Sequence, residues 1–306
     1  MTIKIGINPI TWSNDDLLYL GGDTPLETCL SETKEAGYDG IELGNKFPRD
    51  PAVLGPILKK HDLSLVSGWY SSELLTRSAQ DEIKALQPHL TLLKGMGCKV
   101  MVFAETSNAI HCDIKKPLSE RPVLPVKDWA TFGARLTEVG DYLEKQGIKL
   151  AYHHHMGTVV QSTEDIDHMM AATGPSVGLL LDTGHAVFAG ADPAALARKY
   201  AGRIVHVHCK DIRKEVLATA RAENWSFLNG VLNGTFTVPG DGMIDYDAVL
   251  PVLADGGYEG WIVVEAEQDP AKAHPLTYAK LGYRNLSAAI DRAGFNKRET
   301  GKRVSG

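Results

Sequence analysis

Short apolar segments recur along the whole chain, and most of them follow a polar, helix-like segment that ends in glycine. Glycine tolerates the left-handed conformation that closes many helices, so the glycines are predicted to end helices and the apolar segments to form strands. The eight predicted strands are Ile3–Asn8, Gly40–Leu43, Leu63–Trp69, Lys99–Ala104, Ile148–His153, Val177–Asp182, Ile204–His208 and Trp261–Glu265.

Helical patterns separate these strands. The segment Pro25–Ala36 has Thr24 as a candidate cap and Pro25 in its first turn, and Asp128–Gln146 carries apolar residues at three- and four-residue spacing. Short, uniformly apolar strands are typical of parallel sheets that are covered on both faces. Eight such β/α units in 306 residues predict a single-domain (β/α)8 TIM barrel, with its active site at the carboxyl ends of the strands.

The main alternative fold is a doubly wound open sheet, which is disfavoured because no G-x-G-x-x-G motif follows the first strand. Two connections, Glu105–Lys127 and Lys210–Asp245, are long for a barrel and are predicted to be functional loops or assembly surfaces. We expect the barrel to occupy residues 1–295, and we expect the basic segment 296–306 to be a flexible tail.

Composition narrows the class of protein. The formal net charge is −6. This charge disfavours a nucleic-acid-binding protein, because binding to phosphates needs clustered Lys and Arg. No apolar run is long enough to span a membrane, and the first residues do not have a signal-peptide pattern. A monomer and a homo-oligomer are both compatible with the sequence. The four cysteines form no Cys-x-x-Cys pair, which predicts reduced thiols in the cytoplasm: Cys29, Cys98, Cys112 and Cys209.

Chemically capable side chains gather where the predicted strands end. Because side chains alternate along a strand, His153 and His155 are predicted to face the barrel axis, and His154 is predicted to point into the surrounding packing. Any one of these polar groups could instead cap a helix or bond a loop amide. The strand ends carry Glu42, Glu105, His153, His154, His155, Asp182, His185, His206, His208, Lys210, Asp211, Glu265 and Glu267.

Imidazole and carboxylate groups at the ends of strands five to eight would converge on one rim of the barrel. Their coincidence on four successive strands favours a shared metal site over four independent polar contacts. A mixed shell of nitrogen and oxygen donors suits Mn²⁺, Co²⁺, Fe²⁺ or Zn²⁺ better than Ca²⁺ or Mg²⁺.

At these positions the chain resembles the xylose isomerase-like barrel superfamily of sugar isomerases, epimerases and apurinic endonuclease relatives. The resemblance implies a single metal ion with Asp182 in LLLDTGH, His208 in VHVHCKD and Glu265 in IVVEAE as ligands. Relatives usually carry Glu-x-His on the fifth strand, where this chain has His153 and His155. The resemblance places His153 at the ligand position, although the choice between His153 and His155 stays open.

The segments GINPITWSNDD, LGGDTPLETCLSETKEAGYDGIELGNKFPRD and YHHHMGT resemble the inosose dehydratase family. This resemblance covers nearly the whole chain. It implies a hydro-lyase of myo-inositol catabolism that converts 2-keto-myo-inositol (scyllo-inosose) to a trihydroxycyclohexane-1,2-dione. It also implies Mn²⁺ or Co²⁺ as the cofactor and a dependence on glutathione.

Elimination of water beside a ketone requires a base that removes the α-proton and an acid that helps hydroxide leave. Glu265 is the candidate base, and the candidate acids are His185, His155 and Lys210. One base and one acid fit elimination better than they fit the two-carboxylate chemistry of an epimerase, although Glu267 or Glu42 could supply a second carboxylate.

A cyclic polyol ketone also needs flat apolar surfaces and hydrogen-bond partners. Trp12 and Trp69 are the candidate flat surfaces, although either could equally be ordinary packing. Glu42 could equally brace the barrel mouth. Asn45 and Lys46 are further candidates for binding hydroxyl groups. The main substrate-binding candidates are Asn8, Trp12, Glu42, Trp69, Lys210 and Glu267.

Three other functions fit parts of the pattern. The first is a metal-dependent keto-sugar isomerase or epimerase, which would use the same metal site. The second is a nucleic-acid phosphodiesterase, which would need several metals and a basic face. The third is a non-catalytic polyol-binding barrel, whose binding would survive removal of the metal.

Overall fold

Eight parallel strands form a closed barrel in the computed structural model, which describes residues 2–297. Each strand pairs with the next along the chain, and pairing of the last with the first closes the barrel, with Ile5 opposite Ile262. The predicted (β/α)8 barrel is therefore confirmed. Its strands are β1 Thr2–Ile7, β2 Gly40–Leu43, β3 Ser64–Ser72, β4 Val100–Glu105, β5 Lys149–His153, β6 Val177–Asp182, β7 Ile204–Cys209 and β10 Gly260–Val264.

Helices cover the outside of the barrel. Three barrel strands, β2, β4 and β6, are buried along their whole length, as expected for parallel strands between a packed interior and covering helices. The helices are α1 Leu26–Ala36, α2 Pro51–Lys60, α3 Ala79–Ala85, α4 Gln87–Gly95, α5 Trp129–Lys145, α6 Thr163–Ala172, α7 Thr183–Phe188, α8 Pro193–Tyr200, α9 Lys214–Ala222, α10 Phe227–Leu232, α11 Tyr246–Asp255 and α12 Pro275–Arg292.

The start of α1 corrects one local prediction. Pro25 occupies the capping position with an extended backbone, and no side chain caps the helix there, so Thr24 is not the cap. The end of the helix is as predicted, because Gly37 adopts a left-handed φ of 106° and its amide donates to the carbonyls of Lys34 and Thr33.

The two long connections differ in structure. The second contains α9, α10 and an antiparallel ribbon of β8 Asp211–Ile212 and β9 Phe236–Thr237, so it is a folded insertion and not an irregular loop. The first contains only the short 3₁₀ helices Leu118–Glu120 and Val126–Asp128, and Leu118 N donates to Trp225 O of the insertion at 3.1 Å. An apolar cluster that includes Phe188, Phe227 and Phe236 stabilises the insertion.

A short strand, β11 Asn296–Lys297, pairs with β1 at the end of the described chain. The proposed domain boundary at residue 295 stays a prediction, and the rest of the predicted flexible tail, residues 298–306, lies outside the described residues. None of the helices within residues 2–297 is both long and apolar enough to cross a membrane.

Candidate active site

Four side chains from β5, β6, β7 and the end of β10 meet at the carboxyl side of the barrel. His153, Asp182, His208 and Glu265, which we call the inner cluster, each offer one donor atom within 4.8 Å of the other three. Asp182 Oδ2 lies 3.6 Å from both His153 Nε2 and His208 Nδ1, and Glu265 Oε2 contacts His208 Nδ1. The structure thus brings together the four residues that the sequence singled out as metal ligands.

The inner cluster fits a divalent metal ion. Asp182 Oδ2, His208 Nδ1 and Glu265 Oε2 are buried and make no well-directed hydrogen bond. Buried polar atoms without partners cost free energy, and one cation among them would satisfy all three. His153 is also oriented for this role, because its Nδ1–H donates to His154 O at 2.7 Å and leaves the Nε2 lone pair directed at the cluster.

Three of the four members of the inner cluster also have charge states that suit metal binding. Burial lowers the pKa of His153 to about 3, so the ring is neutral at neutral pH. Burial opposes the charge on Asp182 and Glu265, but the pKa of Asp182 is lowered by Lys210 and that of Glu265 by His208. Neutral imidazole and ionised carboxylate are the forms that bind metal ions.

Glu42 lies beneath the inner cluster and orients it. Its carboxylate accepts hydrogen bonds from His208 Nε2 at 3.2 Å, from His206 Nε2 at 2.8 Å and from Asn8 Nδ2 at 2.8 Å. The bond to His208 Nε2 leaves Nδ1 as the nitrogen that could bind a metal ion, the arrangement that a carboxylate beside a metal-binding histidine typically sets up. Both oxygens of Glu42 are engaged, which supports the bracing role, and Glu42 also lines the cavity, so its substrate-binding role stays a prediction. Asn8 lines the cavity, but its Oδ1 also accepts the Ile10 amide.

A second set of residues, which we call the lysine group, lies beside the inner cluster and consists of His155, His185, Lys210 and Glu267. Lys210 Nζ is 3.0 Å from His185 Nε2, 2.5 Å from Glu267 Oε1 and 2.9 Å from Glu265 Oε1. The rings of His155 and His185 are 3.9 Å apart between centroids. Lys210 therefore links the lysine group to a ligand of the inner cluster.

Burial sets the protonation states of the lysine group. Burial opposes the charge on Lys210, but Glu265 and Glu267 raise its pKa and hold it as an ammonium. Burial lowers the pKa of both His155 and His185 well below 6.5, so both rings are neutral. Burial raises the pKa of Glu267 to about 7, so this carboxyl group gains and loses a proton near neutral pH. The group can therefore store and transfer protons beside the inner cluster.

A cavity of about 470 Å³ opens above both groups, within the size range of small-molecule sites. Trp69 lines it as predicted, with its ring centroid 5.4 Å from that of His153 and 5.5 Å from that of His155. The residues around the cavity include Asn8, Asp16, Trp69, His111, Cys112, His153, His155, His208, Glu265 and Glu267.

Several sequence-based assignments are corrected. Trp12 is fully buried in the core, and its Nε1 donates to Glu32 Oε2 at 2.6 Å, so it cannot stack on a substrate. The strand alternation does not reach it, because the 3₁₀ helix Pro9–Thr11 intervenes after β1. Lys46 braces a loop by donating to the carbonyls of Gly21, Gly22 and Thr24.

Asn45 needs the same correction, whereas His154 lies where the alternation along the strand predicted it. Asn45 is exposed, and its Nδ2 donates to Asn14 O, so it too serves a loop. His154 lies outside the inner cluster, fully buried, and its Nε2 accepts the Asp182 amide at 3.4 Å.

Some cavity residues come from loops and were not predicted from the sequence, chiefly Asp16 and His111. No strand period predicts where a loop residue lies.

Comparisons with known proteins agree with this fold. The family described as the xylose isomerase-like TIM barrel matches residues 30–288. The chain is 52% identical to the rhizopine catabolism protein MocC of Rhizobium meliloti, over 96% of this chain and 91% of that protein. It is 45% identical to the inosose dehydratase of Clostridium tetani, over 90% of this chain and 94% of that protein.

Among solved structures, the IolI protein with a binding zinc atom matches with a TM-score of 0.68 at 18% identity, covering 95% of this chain and 99% of that one. Identity this low shows the fold alone. The family match and the two sequence relatives go further, since each spans most of the chain. The chain belongs to the xylose isomerase-like TIM barrel family, among the relatives that include the inosose dehydratases.

Proposed function

We propose that the protein is an inosose dehydratase, a hydro-lyase that converts 2-keto-myo-inositol (scyllo-inosose) to a trihydroxycyclohexane-1,2-dione. The observation that carries this proposal is the placement of the inner cluster and the lysine group beside one cavity, whose lining includes His153, His208 and Glu265 of the first and His155 and Glu267 of the second. Such an arrangement can hold a metal ion and move protons at adjacent atoms of a bound ketone. The 45% identity to inosose dehydratases supports the choice of substrate and reaction.

His153, Asp182, His208 and Glu265 would hold the metal ion, for which we propose Mn²⁺ or Co²⁺. When bound, the ion supplies Lewis-acid polarisation of the ketone oxygen, which is worth several kcal/mol. Two nitrogen and two oxygen donors suit both of these ions. The resemblance also implies a dependence on glutathione, which an activity assay with and without the reduced tripeptide tests.

Glu265 is the proposed base for the α-proton. Its Oε1 is 2.9 Å from Lys210 Nζ, and its Oε2 faces the ligand atoms of the inner cluster. Residues of the lysine group then help hydroxide leave as water. We favour His185 as the acid, because its Nδ1 accepts the Met156 amide at 3.2 Å and the neutral ring therefore carries its proton on Nε2. Lys210 Nζ, at 3.0 Å from that Nε2, can replace the proton after it is donated.

His155 is the weaker candidate for the acid. Its Nδ1–H donates to Met156 O at 2.8 Å, so the neutral ring presents Nε2 as an acceptor and not as a donor. Trp69, Lys210 and Glu267 are the proposed contacts for the polyol ring, since all three border the inner cluster or the cavity.

A keto-sugar epimerase is the second candidate, and one observation favours it. Glu267 lines the cavity with Oε2 buried and unpaired, so it could serve as the second carboxylate that epimerisation needs. The two reactions give different products, because elimination creates a second carbonyl group and epimerisation does not.

The deciding experiment assays the purified protein on scyllo-inosose in D₂O, with each ion, after EDTA, and with and without reduced glutathione. We expect diketone formation with Mn²⁺ or Co²⁺, loss of activity after EDTA, and recovery when either ion returns. Unchanged diketone formation by protein shown to be metal-free would contradict the proposal. Exchange of the α-proton without any diketone would favour the epimerase. Rhizopine belongs in the substrate panel because of the 52% identity to a rhizopine catabolism protein.

We also propose a cytoplasmic location. All four cysteines are free, as a reducing compartment would leave them. Fractionation of cells that express the protein would test this, with activity expected in the cytoplasmic fraction. The oligomeric state can be measured on the same material by light scattering.

A further inference from the structure

A second group of donor atoms lies at the rim of the cavity, outside the inner cluster and the lysine group. Asp16, His111 and Cys112, which we call the rim cluster, come from the loops after β1 and β4. Each offers a donor atom within 4.8 Å of the other two, and Cys112 Sγ lies 3.2 Å from Asp16 Oδ1. All three line the cavity, so a ligand held by them would face the same space as the inner cluster.

His111 indicates that the rim cluster is more than a chance meeting of polar loop residues. Only 9% of its surface is exposed, and its Nδ1 is buried without any hydrogen-bond partner. Its ring is held in place by His155, at 5.0 Å between centroids, and by Trp69 at 6.3 Å. A buried imidazole nitrogen without a partner costs free energy, which a bound cation would recover.

The donor types identify the class of ligand. A sulfur, an imidazole nitrogen and a carboxylate oxygen are ligands of Zn²⁺ and Co²⁺, whereas Mg²⁺ and Ca²⁺ prefer oxygen alone. We propose that the rim cluster binds one thiophilic divalent ion, Zn²⁺ or Co²⁺, with Cys112 as a thiolate ligand. The ion displaces the thiol proton to solvent when the sulfur–metal bond forms. Three protein ligands leave a coordination position open towards the cavity.

Co²⁺ separates the two sites by their spectra. The inner cluster contains no sulfur, so an ion held there gives only visible d–d bands. An ion at the rim cluster adds a near-ultraviolet band from charge transfer between thiolate and Co²⁺. The band can be assigned to one residue, because Cys112 is exposed whereas Cys29, Cys98 and Cys209 are buried.

The test is an anaerobic titration of the full-length protein with Co²⁺, with metal content measured alongside the spectrum. We expect two ions per chain and a near-ultraviolet band in the unaltered protein. Cys112→Ser should bind one ion and show visible bands only, and this retained visible spectrum shows that the variant is folded. Added Zn²⁺ should remove the near-ultraviolet band by displacing Co²⁺ from sulfur.

Two aspartate variants sharpen the result. Asp16→Asn keeps the thiol but loses a charged ligand, so its near-ultraviolet band should need at least about tenfold more Co²⁺. Asp113→Asn is the matched control, since Asp113 is an exposed carboxylate on the loop that carries His111 and Cys112 and lies outside the rim cluster. A band that is missing at saturating Co²⁺, or that survives Cys112→Ser, overturns the proposal. Either result leaves the inner cluster and the proposed reaction untouched, because the band reports sulfur ligation alone.

Discussion

Two groups of donor side chains border the same cavity, one on strand ends and the other on loops. In the inner cluster, strand pairing sets the positions, with Asp182 opposite His208 in the ladder between β6 and β7. In the rim cluster, Asp16 and Cys112 meet through loops held by a few hydrogen bonds, such as Ile110 N to Gly157 O at 2.9 Å. The alternation of side chains along a strand can predict the positions of the inner cluster, but no such period predicts the positions of the rim cluster.

The inner cluster and the rim cluster also differ in how tightly the surrounding structure holds them. The side chains of the inner cluster are buried, and its histidines are oriented by Glu42 and by the His154 carbonyl. Cys112 of the rim cluster is exposed, and its thiol donates a hydrogen bond to Asp16 Oδ1. We therefore expect substitutions in the inner cluster and its supports to have large effects, and substitutions in the loops to have small ones.

The largest effect is expected for His153→Gln. Loss of this ligand should abolish tight metal binding and lower kcat/KM by about 10³-fold or more, the scale of a Lewis-acid contribution. His154→Gln is the matched control one residue away, and it should keep the metal because His154 lies outside the cluster. Metal content and rate are measured together on both variants. Equal loss of metal from both would show that His153 and His154 do not face opposite sides of β5.

The next effect is expected for His185→Gln. If His185 helps hydroxide leave, diketone formation should fall by about 10²-fold while the α-proton still exchanges with D₂O. His155→Gln should lower the rate less, because the Met156 carbonyl already uses the His155 Nδ1 proton. NMR of the substrate follows exchange and product in the same sample. Loss of both exchange and product in a His185 variant that retains metal would contradict the assignment.

A smaller effect is expected for Glu42→Gln. The amide is similar in shape, but it supports the His208 ring less strongly than a carboxylate does, so metal affinity should fall by about 10- to 100-fold. Glu32→Gln serves as a control, because Glu32 bonds Trp12 away from the cavity. Calorimetry with Mn²⁺ measures both affinities. Unchanged affinity in Glu42→Gln would assign Glu42 a purely structural role.

Metal affinity should also depend on pH. Burial opposes a charge on His208, but in the metal-free protein Glu265 and Glu42 raise its pKa well above 6.5. The metal binds the unprotonated ring, so affinity should rise about tenfold per pH unit until the pKa of His208 is passed. Calorimetry at about pH 6 and about pH 7 checks the sign. Affinity that is flat, or that falls as pH rises, would show that His208 does not release a proton.

The smallest effect is expected from the loops. Lys46→Met removes three hydrogen bonds to loop carbonyls and should lower the free energy of unfolding by about 1 kcal/mol. Lys60→Met, which removes an exposed ion pair with Glu27, should lower it less. Urea denaturation measures both. A loss of several kcal/mol from Lys46→Met would show that this loop is as firmly built as the strand ends.

The sequence by itself determined the barrel and the positions of the inner cluster. Strand spacing placed β2 and β6 at the bounds that the structure has, and alternation set His154 apart from His153 and His155. The family resemblance placed His153 at the ligand position, and His153 is the one that lies in the inner cluster. These inferences succeed because a parallel barrel has one period along each strand and one end at which its functional groups collect.

Only the tertiary structure decided which polar groups serve the site and which serve the scaffold. Glu42 and Lys210 both lie at strand ends. Glu42 orients His208 by accepting its Nε2–H, whereas Lys210 forms ion pairs with Glu265 and Glu267. Trp12 is buried in the core, and Asp16 contacts Cys112, which lies 96 residues further along the sequence. Contacts of this kind depend on how loops close over the barrel, and loop closure follows packing between distant segments and not any local period.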